Sequence, residues 1–343
     1  MKKATLLIAS IVLLCSSAFG LDLKEGRMRL VVNERSGRFA LYYLADVAKN
    51  QYVPLLYDQE TRTTYATLMV DDRPYKLGEA SEFRVSVAKD TNGGARIEYR
   101  SSFCVVKQTF SFIASPGSAL QDGVAIGFSI ENVSQKDAAI GLRLLLDTWL
   151  GEKASAHFWA KSTGPLSGES ALRGDSTDLW IRSVELVSSS EANLQVQLTA
   201  PATRPDRVVV ANWKRLNDSA WSFDASSARN FTLLPYSIND SALALYYESQ
   251  TLRPGSTREI AAILSQASDG YPALASQAVS PAVSAITSPG LTAPLDEMAD
   301  LIAARSVIEA IDAALASGAS PSAEDMAAIE STLRRLETRK TKY

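Results

Sequence analysis

From Leu21 to about Ser268, apolar and polar residues alternate at period two, broken by turn residues about every ten positions, which restricts this stretch to β structure. "FRVSVAK" puts Phe83, Val85 and Val87 on one face, "DTNGG" turns the chain, and "ARIEYRS" returns with Ile97 and Tyr99. This is a hairpin with a Gly-rich loop. "GVAIGFSIEN" alternates Val124, Ile126, Phe128 and Ile130 against small residues, and after "VSQKD" the segment "AAIGLRLLLDT" carries Ile140, Leu142, Leu144 and Leu146. These two are expected to pair as neighbours deep in a sheet. Further strands read at 27–32, 38–44, 64–70, 104–113, 179–187, 194–200, 207–212, 241–248 and 257–265. So many strands, with almost no helix before residue 270, predict a mainly β fold: a large sandwich of two packed sheets rather than a small barrel.

The two ends differ from this body. "MKKATLLIASIVLLCSSAFG" (1–20) joins a basic start, a short apolar run and a small-x-small ending, which is the pattern of a secretory signal peptide. The run is too short for a membrane span, and Leu14 before Cys15 departs from a lipid-attachment motif. Cleavage there leaves Cys104 as the one cysteine, so an intramolecular disulfide is excluded and stability must come from the core. The short leader points to the periplasm or cell envelope of a bacterium. The remaining chain contains no membrane-length apolar stretch, and a formal charge of −3 over the full sequence, −5 once Lys2 and Lys3 of the leader are removed, without a basic cluster gives no footprint for nucleic acid.

Beyond the β-sandwich domain (21–270), residues 271–293 are rich in Pro, Ala and Ser. Prolines at that density read as a linker. From 294 to 343 the period becomes helical. Leu301, Ala304, Ile308, Ile311 and Leu315 form one seam, and Met326, Ile329, Leu333 and Leu336 a second. Gly318 stops the first helix and Ser320-Pro321 opens the next, which predicts an antiparallel αα-hairpin. Its seams must be covered by its own sandwich, by an envelope partner protein, or by self-association, unless the segment is a tail.

Residues 141–158, "GLRLLLDTWLGEKASAHF", hold the single histidine, two carboxylates and Trp149, the ingredients of a small catalytic centre. His157 lacks a second histidine or a recognisable nucleophile, which disfavours zinc and general-base chemistry. Asp147, Glu152, Asp175, Asp178 and Asp206 stand near strand ends, but their spacing selects no catalytic pair. Motifs for nucleotide, calcium or serine chemistry are absent, and no cofactor or metal is implied. Trp149, Trp159, Trp180 and Trp213 can serve as sugar platforms, although core packing is the commoner use of tryptophan. The sequons at Asn132, Asn217, Asn230 and Asn239 read as turn residues in a bacterial chain.

"IGLRLLLDTWLGEKASAHF" and "RPDRVVVANWKRLNDSAWSFDASSARNF", with "NDSALALYYESQTLRPGSTREI" after it, resemble a group of exported bacterial β-proteins. The resemblance spans roughly residues 24–265. It implies a supersandwich similar to that of galactose mutarotase-like proteins, a fold that does not by itself define function. Where that group has an acidic loop, this chain has Lys153, Ala154 and Ser155, and mutarotase chemistry needs a histidine pattern that His157 matches poorly. Asp147 is then expected to accept backbone hydrogen bonds in a structural role. The sequence therefore favours an exported, non-enzymatic envelope scaffold with partner-binding C-terminal helices. Its alternative is a carbohydrate-binding or carbohydrate-processing protein, with the tryptophans as platforms and Asp147 or Glu152 as polar contacts.

Overall fold

The computed structural model describes residues 20–47, 49–57, 62–115, 118, 120–184, 192–266 and 330. The expected signal peptide (save Gly20), the linker and the helical hairpin with its seams (save Glu330) lie outside these residues. The expected partner-binding positions Leu301, Ile308, Ile311, Leu315, Met326, Ile329, Leu333 and Leu336 are therefore outside them too.

Three antiparallel sheets make up the β body. The first is a meander of β1 (Gly20–Glu25), β2 (Met28–Asn33), β3 (Phe39–Asp46) and β4 (Gln51–Pro54). A six-stranded sheet runs in the order β14 (Ser170–Arg173), β17 (Arg207–Asn212), β18 (Ser241–Leu252), β11 (Ala138–Asp147), β5 (Tyr65–Val70), β6 (Arg73–Lys76). The nine-stranded sheet runs β13 (Gly164–Leu166), β12 (Phe158–Ala160), β15 (Trp180–Val184), β16 (Asn193–Gln197), β19 (Thr257–Ser265), β10 (Gly123–Asn132), β9 (Cys104–Ile113), β8 (Ala95–Arg100), β7 (Arg84–Lys89). The β7–β8 hairpin forms around "DTNGG" as its turn chemistry predicts. The two larger sheets are those of a β-sandwich, and the small sheet is an addition to the two-sheet expectation. Among the described residues no helix is long and apolar enough to cross a membrane.

One apolar core joins all three sheets through Leu30 and Phe39, Phe110 and Phe128, and Leu68, Leu144 and Leu245. The Phe39 and Phe110 rings meet edge-on with centroids 4.8 Å apart, a contact worth about 1 kcal/mol beyond area burial. The six-stranded sheet is also covered on its other face. There Tyr65, Leu145, Val209 and Tyr246 pack with Leu216 of the short helix α1 (Trp213–Asp218) and with Phe223. Burial on both faces explains why β11 and β18 read as nearly unbroken apolar runs.

The expected pairing of β10 with β11 is corrected. β10 lies between β9 and β19, whereas β11 lies between β5 and β18, in the other large sheet. Residues 133–137 carry the chain between sheets instead of reversing it within one. Fully buried Asn132 holds this crossing: its Nδ2 donates to the carbonyls of Lys136 and Leu252, both at 2.8 Å, and its Oδ1 accepts from Ser134 N–H at 3.0 Å. Backbone groups that leave the ladder are thereby satisfied.

On the outer face of the six-stranded sheet, register lines up Lys76, Thr67, Arg143, Tyr246, Arg207 and Arg173 across all six strands. Arg143 is fully buried and, among the described residues, has no carboxylate partner. Its Nη1 donates to the Ser219 carbonyl at 3.1 Å and the Ser219 hydroxyl at 3.0 Å. Lys76 donates to the Asn217 carbonyl at 2.9 Å and Arg207 to that of Phe223 at 3.0 Å. These cations fasten α1 and the segment after it to the sheet. Arg143→Ala is expected to cost about 3 kcal/mol, because it leaves buried carbonyls without donors and opens a cavity; equilibrium urea denaturation of the two chains measures the difference.

Candidate functional site

Four adjacent strands of the six-stranded sheet deliver polar residues to one end. β11 finishes at Asp147 and β17 at Asn212, while β18 begins at Ser241 after Asp240 and β5 begins after Thr63 and Thr64. Antiparallel register places Asp147 opposite Ala242 and Asn212 opposite Ser241. The loop after β11 then returns Glu152 to this end, where its carboxylate accepts from Ser241 N–H at 3.4 Å. The loop's shape needs Gly151, at φ +85°, because a Cβ there would stand 2.4 Å from the His157 carbonyl.

Asp147, Glu152 and Asp240 form an acidic cluster. Burial, the side chain of Thr63 and the charges of Asp240 and Glu152 all act on Asp147, and burial dominates, raising its pKa well above the carboxylate range. Thr63 is its side-chain partner, in place of the backbone donors expected from sequence. Burial likewise pushes Glu152 up to about 8, helped by Asp240 and opposed by the Ser241 N–H and Lys153. Asp240 is raised by burial against its hydrogen bond with Ser237. Among the described residues, none of the three forms a salt bridge. No group of three His, Cys, Asp or Glu among them could hold a metal ion either. The three are coupled through their field and not through a shared cation, an arrangement that keeps a carboxyl protonated near neutral pH.

His157 belongs to the packing. It is buried and stacks on Phe231 with centroids 4.4 Å apart and planes at 28°. Its Nδ1 makes no hydrogen bond, and burial lowers its pKa to about 4. This is a neutral, wedged imidazole.

The expected tryptophans separate into two groups. Trp213 donates its indole N–H to the Thr63 carbonyl at 3.0 Å, tying it to the acidic corner. Trp149 follows Asp147 by two residues and packs 5.8 Å from Tyr57. Trp159 and Trp180 lie on β12 and β15 of the other large sheet. Trp159 is 44% exposed, while the Trp180 ring is covered by Arg182 at 3.8 Å and Lys161 at 5.6 Å. None of the five tryptophans is fully buried, yet Trp149 packs against the main core and Trp213 and Trp221 against the core on the outer face of the six-stranded sheet. Sequence reasoning brought out Asp147 and Glu152 but missed Asp240, Thr63 and Asn212. The one local signal was "IND" before a strand, a turn-type acid at a strand start.

Asn212 organises the cluster's surroundings. Its fully buried side chain donates to the Phe231 carbonyl at 2.8 Å, Ser237 Oγ at 2.9 Å and the Asp240 carbonyl at 3.0 Å. Its Oδ1 also accepts from Arg215 N–H at 3.3 Å, capping α1.

No family model and no curated protein matches this chain. Among solved structures, a galactose mutarotase-like protein from Lactobacillus casei is similar at 10% identity. It covers 72% of this chain and 99% of that one, with a TM-score of 0.43. A putative aldose 1-epimerase from Escherichia coli K12 is similar at 13% identity, over 72% of this chain and 98% of that one, with a TM-score of 0.42. An aldose epimerase homologue from C. elegans stands at 10% identity, 72% and 98% coverage, and a TM-score of 0.42. The expectation of a non-enzymatic scaffold is corrected at this point. The similar structures are named as mutarotase-like and aldose-epimerase proteins and not as scaffolds. At these identities they say only what the chain is similar to, and the functional reading rests on the side chains.

Two measurements follow. The chain has one histidine, so its imidazole resonances are assignable without ambiguity, and they are expected to stay in the neutral position from pH 8 to about 5. A midpoint near the ordinary histidine value would show an exposed ring. Glu152 binds its proton more tightly folded than unfolded, so folding stability should fall as pH rises between 4.5, its ordinary value, and about 8. Glu152→Gln is expected to remove on the order of 2 kcal/mol of that decline, a figure reduced for the residue's partial exposure. Thermal melts of both chains at several pH values check this.

Proposed function

We propose that the chain binds and processes a carbohydrate at the Asp147–Glu152–Asp240 end of the six-stranded sheet. The observation that carries this reading is a set of neighbouring carboxylates, two of them half-buried, that burial raises and that form no salt bridge among the described residues, Lys153 alone opposing the shift of Glu152. Retaining such groups costs stability, and acid–base chemistry on sugars is work that carboxyls perform without histidine or cofactor. In this reading Glu152, carrying its proton at neutral pH, donates it to a ring or glycosidic oxygen. Asp240 accepts hydrogen bonds from sugar hydroxyls, and burial, helped by the charge of Asp240, holds the Glu152 proton. Trp213 and Trp149 supply apolar edges beside them. The leader-like first twenty residues support placing this activity outside the cytoplasm.

Intrinsic tryptophan fluorescence and polarimetry of the full chain, titrated with a panel of mono- and oligosaccharides, test the proposal. A responding sugar is expected. Its turnover should decline as pH rises through about 8, where Glu152 loses its proton, and Glu152→Gln should lower kcat by roughly 100-fold or more. A sugar that binds equally well to Glu152→Gln and Asp240→Asn chains would remove the cluster from the site, and silence towards every sugar would end the carbohydrate reading.

A further inference from the structure

The segment from Phe231 to Asp240 leaves the sheet as a closed finger. Asp240 N–H donates to the Phe231 carbonyl at 3.1 Å, and Leu233 and Ser237 exchange two backbone bonds of 2.9 Å. Asn239 N–H donates to the Thr232 hydroxyl at 3.1 Å, and Asn212 grips the base from inside. The finger's backbone is thus ordered by folding before anything touches it. Its tip is apolar. Leu234, Tyr236 and Ile238 are 72%, 68% and 71% exposed, the three most exposed large hydrophobics among the described residues. Three such side chains held in water on a braced stalk form a contact surface.

The chemistry around the finger identifies its occupant. Lys214 lies 5.1 Å over the Tyr236 ring and donates to Asp218 at 2.7 Å, which places a donor and an acceptor beside the aromatic surface. A groove of about 530 Å³ runs along the finger, sharing Thr232 and Leu233 with it and bounded further by Arg215, Ala228, Arg229 and Asn230. The groove meets the finger at Thr232 and Leu233, below the tip, and Lys214 covers one face of the Tyr236 ring; an aromatic ring and a groove rich in hydrogen-bonding groups on one finger are what a chain of pyranoses presents partners for, C–H faces against the aromatic and hydroxyls against the polar wall. A purely hydrophobic partner would leave that wall unmatched. The finger is also continuous with the acidic cluster, because Asp240 is its last residue.

We infer that the finger and groove form a secondary subsite holding further rings of an oligosaccharide whose reacting unit lies at Glu152 and Asp240. This inference rests on the carbohydrate reading above. It makes the ligand a chain of several sugars, not a free monosaccharide.

Titration calorimetry of the full chain with gluco-, galacto-, N-acetylhexosamine and uronic series, from monosaccharide to hexasaccharide, tests it. In the series that binds, affinity should rise roughly tenfold from one ring to four. Tyr236→Ala, at an exposed position whose truncation spares the side-chain and Leu233–Ser237 bonds that close the finger, should abolish that gain and leave single-ring affinity within about twofold; Leu234→Ser checks that the effect belongs to the tip. Affinity independent of chain length, or a gain that survives Tyr236→Ala, overturns the subsite and leaves the Glu152–Asp240 reading standing. Silence towards every sugar overturns both. Flat length dependence together with binding to phosphatidylglycerol vesicles that Tyr236→Ala removes would assign the finger to a lipid surface instead.

Discussion

Arg143 is the residue on which the working end of the molecule depends. It sits at the centre of the six-stranded sheet, wholly inside, and its charge is met by carbonyl and hydroxyl oxygens of Leu216, Ser219 and Thr67 instead of a carboxylate. A buried cation satisfied only by dipoles is tolerable when several converge on it. The convergence comes from the chain leaving α1, whose last carbonyls point towards the guanidinium. The sheet's outer face can therefore be closed by a short, irregular segment that has little cohesion of its own. Tyr246 joins the arrangement, with Arg207 4.1 Å over its ring and Trp221 edge-on at 5.7 Å.

Fixing that segment fixes the site. Asn212 caps α1 and braces the finger with the same side chain, and Trp213, the first helical residue, reaches Thr63 beside Asp147. Sheet register alone would bring Asp147 and Ser241 to the same end. Placing Asp240 against Glu152 needs the loop to be held as well, and the cation row and Asn212 hold it.

Much of this was legible in the sequence, and the illegible part has a common cause. Strands such as 104–113, 207–212 and 257–265 follow from alternation, and the β7–β8 hairpin from "DTNGG", because both signals are local. The assignment of β10 and β11 to different sheets is not local. Five residues serve equally well for a loose hairpin or a crossing, and the decision lies with Asn132 and its partner Leu252, 120 residues away. The acidic site divides along the same line. Asp147 and Glu152 share one loop and can be suspected together, whereas Asp240 joins them only through β18 register. The tryptophans divide between two sheets for a related reason, since aromatic content says nothing about which sheet end a ring will reach.

The distribution of charge inside the six-stranded sheet separates function from packing. Arg143 and Asp147 lie on one face of β11, four residues and so about 13 Å apart, with Leu145 between them. Arg258, also buried, donates to the carbonyls of Ile140 and Glu248 and not to an acid. A chain shaped by stability alone would bring such charges together, or replace them with apolar residues of similar volume. Here Arg143 and Arg258 are spent on backbone carbonyls and, for Arg143, hydroxyls as well, and the carboxylates at the sheet end are left without a salt bridge among the described residues. Burial, with that separation, holds Glu152 up at about 8, and a neutralising arginine in the same corner would lower it.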